Sequence, residues 1–135
     1  MLLVDTNVLV DVLENDPQWV EWSIGQLRAQ AKIHRLAINP IIYSELSLTF
    51  STVEALDRTV EELGLAIVEL PRPALFLAGK AFIRYRRQGG TKSNVLPDFF
   101  IGAHASVARC ALLTRDSRRY TTYFSDVKLI TPEAD

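Results

Sequence analysis

Short apolar runs alternate with longer amphipathic stretches along this chain. Leu2–Val4, Leu36–Ile38, Leu65–Val68 and Ala111–Leu113 are nearly unbroken runs, and Lys128–Ile130 is a last, shorter one. Runs without polar alternation suit strands of a parallel sheet, buried on both faces. Between them the apolar positions fall at helical spacing, beginning with Val8, Leu9, Val12 and Leu13. Asp16-Pro17 breaks that first helix, and Pro17 opens a second through about Ala31. Asn39 as cap with Pro40 at the first helical position starts a third helix. A fourth covers Thr52–Leu63, with Ser51 or Thr52 as cap and Gly64 as its stop. Pro71 and Pro73 open a long helix through about Gln88, ended by Gly89-Gly90. Pro97 starts another, and Ser117–Phe124 is a short helix or turn. Helices alternating with short apolar strands predict an α/β fold. The expected architecture is a central parallel sheet of about five short strands, flanked by helices on both faces, in a single domain spanning residues 1–135.

The polar residues that interrupt this pattern are few and recur at equivalent places. Asp5 closes the first apolar run, followed by Thr6 and Asn7, whose side chains are expected to cap the first helix. Asp11 lies on that helix's polar stripe with Asn7, Glu14 and Asn15, and is expected to be solvated. Glu45 shares a helix face with Ile41, Ile42 and Leu48, a costly position for a carboxylate that is neither paired nor bound to a cation. Asp98 sits in the first turn of its helix, where the dipole favours negative charge. Gly102 and Ala105 follow on the same face and let that helix approach the sheet closely. Asp116 follows the Ala111–Leu113 strand. His104 lies off the Asp98 stripe and reads as a core or surface histidine more readily than as a metal ligand.

Composition sharpens the picture in three ways. With 48% hydrophobic residues the 135-residue chain can bury a real core. The lone Cys110 cannot form an intramolecular disulfide and reads as a packed, inert thiol. No basic segment precedes the apolar N-terminus, which Asp5 and Asp11 interrupt, so neither a leader nor a membrane span is expected, and a cytoplasmic location follows by default. The net charge of −1 conceals a polarity, with −7 on residues 1–71 and +6 on residues 72–135. A neutral protein with a basic half can bind a polyanion locally, although ordinary solvated faces account for the charge equally well.

In a parallel sheet the carboxyl ends of all strands emerge on one edge, so Asp5, Glu45, Asp98 and Asp116 can converge there. Each close pair of bare carboxylates costs about 1 kcal/mol at 4 Å in water, and about 4 at an effective dielectric of 20. A divalent cation relieves that repulsion, and an all-oxygen donor set favours magnesium or manganese over zinc. Such a site beside a basic half suits phosphodiester hydrolysis.

The same residues resemble the motifs of the PIN-domain nucleases, and among them the VapC and FitB-like toxins of toxin–antitoxin pairs. Leu3-Val4-Asp5-Thr6-Asn7 resembles the opening motif, Ser44-Glu45-Leu46 the second, Leu96-Pro97-Asp98-Phe99-Phe100-Ile101-Gly102-Ala103 the third, and Leu113-Thr114-Arg115-Asp116 the fourth. The resemblance covers nearly the whole chain and implies a PIN-like fold. It implies that Asp5, Glu45, Asp98 and Asp116 are catalytic, metal-binding acids, with Thr6, Asn7 and Thr114 as supports. It further implies a magnesium-dependent endoribonuclease (manganese being the alternative ion), usually a homodimer, neutralised by a small antitoxin protein of the VapB type.

Two other readings share part of this pattern. A haloacid-dehalogenase-type phosphotransferase needs an aspartate two positions after Asp5, where Asn7 stands. A receiver-like module needs adjacent early acids and a lysine after a late strand, where Thr114 and Arg115 stand. A purely structural domain leaves Glu45 and Asp98 unexplained. On the nuclease reading, Arg84, Arg86, Arg87, Lys92, Arg115, Arg118 and Arg119 are expected to contact RNA phosphates, Arg115 foremost. Gly89–Asn94 is expected to be a mobile loop beside them. Trp19 and Trp22, three apart on the second helix, are expected to line an antitoxin groove with the helix holding Ile41–Leu48.

Overall fold

The apolar runs pair side by side as five parallel strands. A computed structural model of the chain describes residues 1–92 and 94–132, so Ser93 of the expected mobile loop lies outside the described residues. The strands are β1 (Leu2–Val4), β2 (Leu36–Ile38), β3 (Ala66–Ile67), β4 (Ala111–Leu113) and β5 (Leu129–Ile130). Their spatial order is β3-β2-β1-β4-β5. Leu2 stands opposite both Leu36 and Ala111, and Val4 opposite Leu113. All residues of β1 and β2 are buried, which is why polar alternation is missing from those runs. The edge strands β3 and β5 are shorter than their apolar runs, because each has a partner on one side only.

The helices are α1 (Thr6–Leu13), α2 (Val20–Ala31), α3 (Pro40–Leu46), α4 (Val53–Glu62), α5 (Arg72–Arg87), α6 (Leu96–Ala108) and α7 (Arg118–Tyr123). From β1 the chain moves outward to β3, then crosses back to β4 and on to β5. α1 packs on α2 and on α3, α6 packs on α5 and α7, and α3 also meets α6. The reversal makes the gap between the ends of β1 and β4 the topological switch point, where α/β sheets open a crevice.

Local chemistry sets the helix starts, and in two places it differs from expectation. Asp5, not Thr6 or Asn7, caps α1: its Oδ1 accepts a hydrogen bond from the Thr6 N–H at 2.8 Å. Pro17 does not open α2 directly. Asp16 Oδ1 accepts from the backbone of Gln18 and Trp19, both at 2.9 Å, and holds a turn that delays the helix to Val20. Asn39 and Pro40 start α3 as expected, Asn39 Oδ1 accepting from Ile41 and Ile42 N–H. Its amide nitrogen faces His104 Nδ1 at 3.1 Å. With the Asn39 oxygen engaged in capping, the amide donates and the ring accepts. Burial lowers the His104 pKa and keeps that neutral ring in place. This contact ties the start of α3 to the middle of α6.

α6 lies tightly against α5 and α7. A Cβ on Gly102 would clash with the Phe124 ring, 2.4 Å from Cδ2. Phe82, Tyr85, Phe99, Tyr123 and Phe124 join α5, α6 and α7 in an aromatic cluster with neighbouring centroids 5.3 to 6.1 Å apart. Among the described residues, no helix is long and apolar enough to cross a membrane.

Candidate active site

Asp5 leaves β1 at the switch point, its N–H bonded to the Leu113 carbonyl of β4 at 2.9 Å. Its side chain is almost wholly buried. Oδ2 accepts from Thr114 Oγ1 at 2.8 Å and from the Tyr120 hydroxyl at 2.9 Å, with Asn7 Nδ2 at 3.5 Å. Burial nevertheless raises its pKa to about 6, offset in part by the Thr114 and Tyr120 hydroxyls, while Asp98 adds repulsion. Asn7 bridges the two strand ends, donating to Thr114 Oγ1 at 3.2 Å and accepting from the Arg115 N–H at 3.1 Å.

Glu45 reaches the site from the last turn of α3, where Thr6 Oγ1 donates to its Oε1 at 2.6 Å. Burial raises its pKa, against the Thr6 bond and with the help of Asp98. Asp98, early in α6, accepts from Arg119 Nη1 at 2.6 Å. Burial raises its pKa too; Arg119 opposes the rise and Asp116 adds to it. Asp5, Glu45 and Asp98 line one cleft of about 300 Å³ together with Thr6, Asn7, Val10 and Arg115. Asp116 lies just outside it. That carboxylate is half exposed, accepts from the Arg118 N–H at 3.3 Å and borders a neighbouring cleft. A further cleft, about 840 Å³, lies at the opposite end of the strands beside Met1, Ala111 and Lys128, and touches none of the four acids.

Among the described residues, no three Asp, Glu, His or Cys side chains are drawn close enough together to hold an ion. The reason is visible in their partners: Glu45 is held by Thr6, Asp98 by Arg119 and Asp116 by the α7 backbone. The donor chemistry does fit a hard divalent cation. Burial raises the pKa of all three carboxylates around the cleft, Asp98 adds repulsion at Asp5 and Glu45, and all their donor atoms are oxygen.

The PIN domain family profile matches residues 2–126. The chain belongs to the PIN domain family. Three solved complexes share the fold of this PIN domain at low sequence identity. VapBC2 from Rickettsia felis, bound to a DNA fragment from its promoter, matches with a TM-score of 0.74 and 19% identity over 98% of both chains. VapBC-1 from nontypeable Haemophilus influenzae gives 0.72 and 19% over 96% of both. A toxin–antitoxin complex from Klebsiella pneumoniae gives 0.68 and 22% over 98% of both. A comparison with curated protein sequences returns no match.

Several side chains around the PIN-domain cleft were not legible as such. Asp11 is not solvated. It is 2% exposed and binds Arg115 through Nε at 2.6 Å and Nη2 at 2.9 Å, with Ser23 Oγ donating at 2.7 Å. Trp19 places its ring 5.2 Å from the Arg115 guanidinium and meets Trp22 edge-on at 6.3 Å. Tyr120, buried against Asp5, carried one signal in the sequence: with Phe124 it forms an i, i+4 aromatic pair that marks the inward face of α7. Leu48, expected beside Glu45, is 89% exposed because α3 ends at Leu46.

Proposed function

We propose that this PIN domain is a magnesium-dependent endoribonuclease, the toxin of a toxin–antitoxin pair, cutting phosphodiester bonds in structured RNA. The observation that carries this reading is the meeting of Asp5, Glu45 and Asp98 in one cleft at the switch point, with Arg119 hydrogen-bonded to Asp98. Asp5, Glu45, Asp98 and Asp116 would hold Mg2+ or Mn2+. When bound, the cation supplies positive charge for the phosphate and lowers the pKa of water.

The remaining work falls to the chain itself. Thr114, Tyr120 and Asn7 fix Asp5 in one orientation, and Thr6 fixes Glu45. Arg119 and Arg115 offer positive charge to a phosphate entering the cleft. Arg84, Arg86, Arg87, Lys92 and Arg118 are exposed and extend that positive path along α5 and α7. Water adds to phosphorus, and the bond to the departing sugar oxygen breaks as that oxygen gains a proton.

The fold-level likeness to VapBC complexes supports a small VapB-type antitoxin as partner. We propose further that it docks along α2 and α3 beside Trp19 and Trp22, and that the toxin is a cytoplasmic homodimer of single-domain chains. Incubation of the purified protein with transfer, ribosomal and messenger RNA, with magnesium or with chelator, tests the reading. Discrete cuts in magnesium that disappear in chelator are expected. Intact RNA under all conditions, or equal cutting in chelator, overturns it.

A further inference from the structure

At the far end of the strands from the acids, the cleft of about 840 Å³ is lined by two kinds of residue. Arg109, Lys128 and His34 are basic, and among the described residues none of them is in an ion pair. The cleft's one carboxylate, Asp126, already accepts from Ser106 Oγ at 2.7 Å. Ile33, Cys110 and Ile130 supply apolar surface. Ile33 is 73% exposed, a branched apolar side chain that nothing in the fold covers. Burial pushes the Cys110 thiol up, so it serves as neutral wall and not as a nucleophile.

Arg109 stands where the backbone argues against it. α1, α4, α5 and α6 end in the same turn, in which one N–H bonds three residues back and the next bonds five back. Asn15 holds the first of those positions after α1, Gly64 after α4 and Gly89 after α5, with φ of 51°, 71° and 90°. Glycine and asparagine are the residues that enter the left-handed region at little cost. After α6 the residue is Arg109, at φ 54° and ψ 44°. Turn chemistry does not ask for arginine there. A local rule broken beside a cleft points to a demand from the cleft.

We propose that this cleft is a second binding site, for a phosphate-bearing small molecule of mononucleotide size. Arg109 and Lys128 would hold the phosphate, the guanidinium fork matching two of its oxygens. The base would lie against Ile33 and Ile130. Small-ligand pockets run from roughly 300 to 1,000 Å³, so a mononucleotide fits the space. The site is separate from the acids: β1 and β4 begin at this cleft, which Met1 and Ala111 line, and lead to Asp5 and Thr114 at the other edge. Three strand residues span about 10 Å, so one mononucleotide does not reach both. The inference therefore does not rest on the ribonuclease reading.

Calorimetric titration of the purified protein in chelator with adenosine monophosphate, adenosine and inorganic phosphate tests the site. The monophosphate should bind at least about tenfold more tightly than adenosine. Arg109→Gly should lose about tenfold in monophosphate affinity. Its ligand-free Tm should hold or rise by up to about 4 °C, because glycine relieves the left-handed strain. Ile33→Asn should weaken the nucleotide and nucleoside alike and leave inorganic phosphate unchanged. Arg119→Gln, altered at the acidic cleft, should bind the monophosphate as wild type does. No monophosphate binding at about millimolar concentration, equal affinity for monophosphate and adenosine, or full affinity in Arg109→Gly overturns the site. Affinity lost in Arg119→Gln but kept in Arg109→Gly would move the nucleotide to the acids. Displacement of the monophosphate by a short RNA lacking a terminal phosphate would make this an RNA contact, and the small-molecule assignment would fall.

Discussion

Asp11 and Arg115, 104 residues apart, form a two-pronged ion pair with N–O distances of 2.6 and 2.9 Å. The fork geometry of guanidinium and carboxylate makes this a strong, directional contact. Ser23 and Trp19 complete it, so α1, α2 and the end of β4 meet at one arginine. Arg115 therefore enters the cleft as a fixed charge and not as a free surface arginine.

Removing Arg115 strands a buried carboxylate. Arg115→Met should cost about 3 kcal/mol of unfolding free energy, near the low end for a broken buried pair because Arg115 is partly exposed. Urea titration measures it. The double variant Asp11→Leu, Arg115→Met should recover part of the loss. A loss under about 1 kcal/mol in the single variant would show that water replaces the arginine freely.

Asp5 should make the metal-free protein less stable as pH rises. Its carboxyl moves from 3.8 to about 6 in the fold, so between those values the folded chain keeps a proton the unfolded chain has lost. The stabilising contribution is complete below pH 3.8 and is lost as pH rises through about 6. Two units at 1.36 kcal/mol each give about 3 kcal/mol. In chelator, wild type should lose about that much relative to Asp5→Asn between about pH 4 and 7. Glu45 and Asp98 shift in the same direction and largely cancel in the comparison. Parallel stability curves would rule the burial argument out.

Magnesium should reverse that penalty. Adding Mg2+ at neutral pH should raise the Tm of wild type by mass action and leave Asp5→Asn and Asp98→Asn much less changed. Both variants should lose RNA cleavage while keeping their folded spectra. An equal Tm rise in all three proteins would mean that the ion binds elsewhere.

Gly102 sets how close α6 comes to α7. Gly102→Ala must push Phe124, a buried ring, and should cost about 1–3 kcal/mol. Because Asp98 sits one turn earlier on the same helix face, cleavage should fall with it. Wild-type stability in this variant would mean that Phe124 turns aside at no cost.

Trp22 packs against the core while remaining partly exposed, and Trp19 leans on Arg115. Trp22→Ala should therefore weaken antitoxin binding with little change in the cleavage rate, whereas Trp19→Ala should disturb both. Co-purification and titration with the antitoxin would separate them. Unchanged affinity in both folded variants would remove α2 from the docking surface.

Much of this arrangement is legible in the chain because its signals are local. Leu2–Val4, Leu36–Ile38 and Ala111–Leu113 announce central strands by lacking any polar interruption, and Asn39-Pro40 fixes a helix start within two residues. Asp5, Glu45 and Asp98 are visible as acids where burial is expected, and they do meet at one cleft. What escaped depends on distant partners. Asp11 lies on a polar stripe, and nothing near it in sequence reveals that Arg115 will cover it. Tyr120 looks like an ordinary helix aromatic until β1 brings Asp5 to its hydroxyl. Asp116 is the reverse case: its place after β4 suggests the acidic cleft, yet the α7 backbone draws its carboxylate to the rim.

The Asn39–His104 contact gives the site a common hinge pin. Glu45 hangs from the helix that Asn39 begins, and Asp98 from the helix that carries His104. A jolt to either helix is thus shared by both, and the span between the two acids is tied to a contact buried in the core.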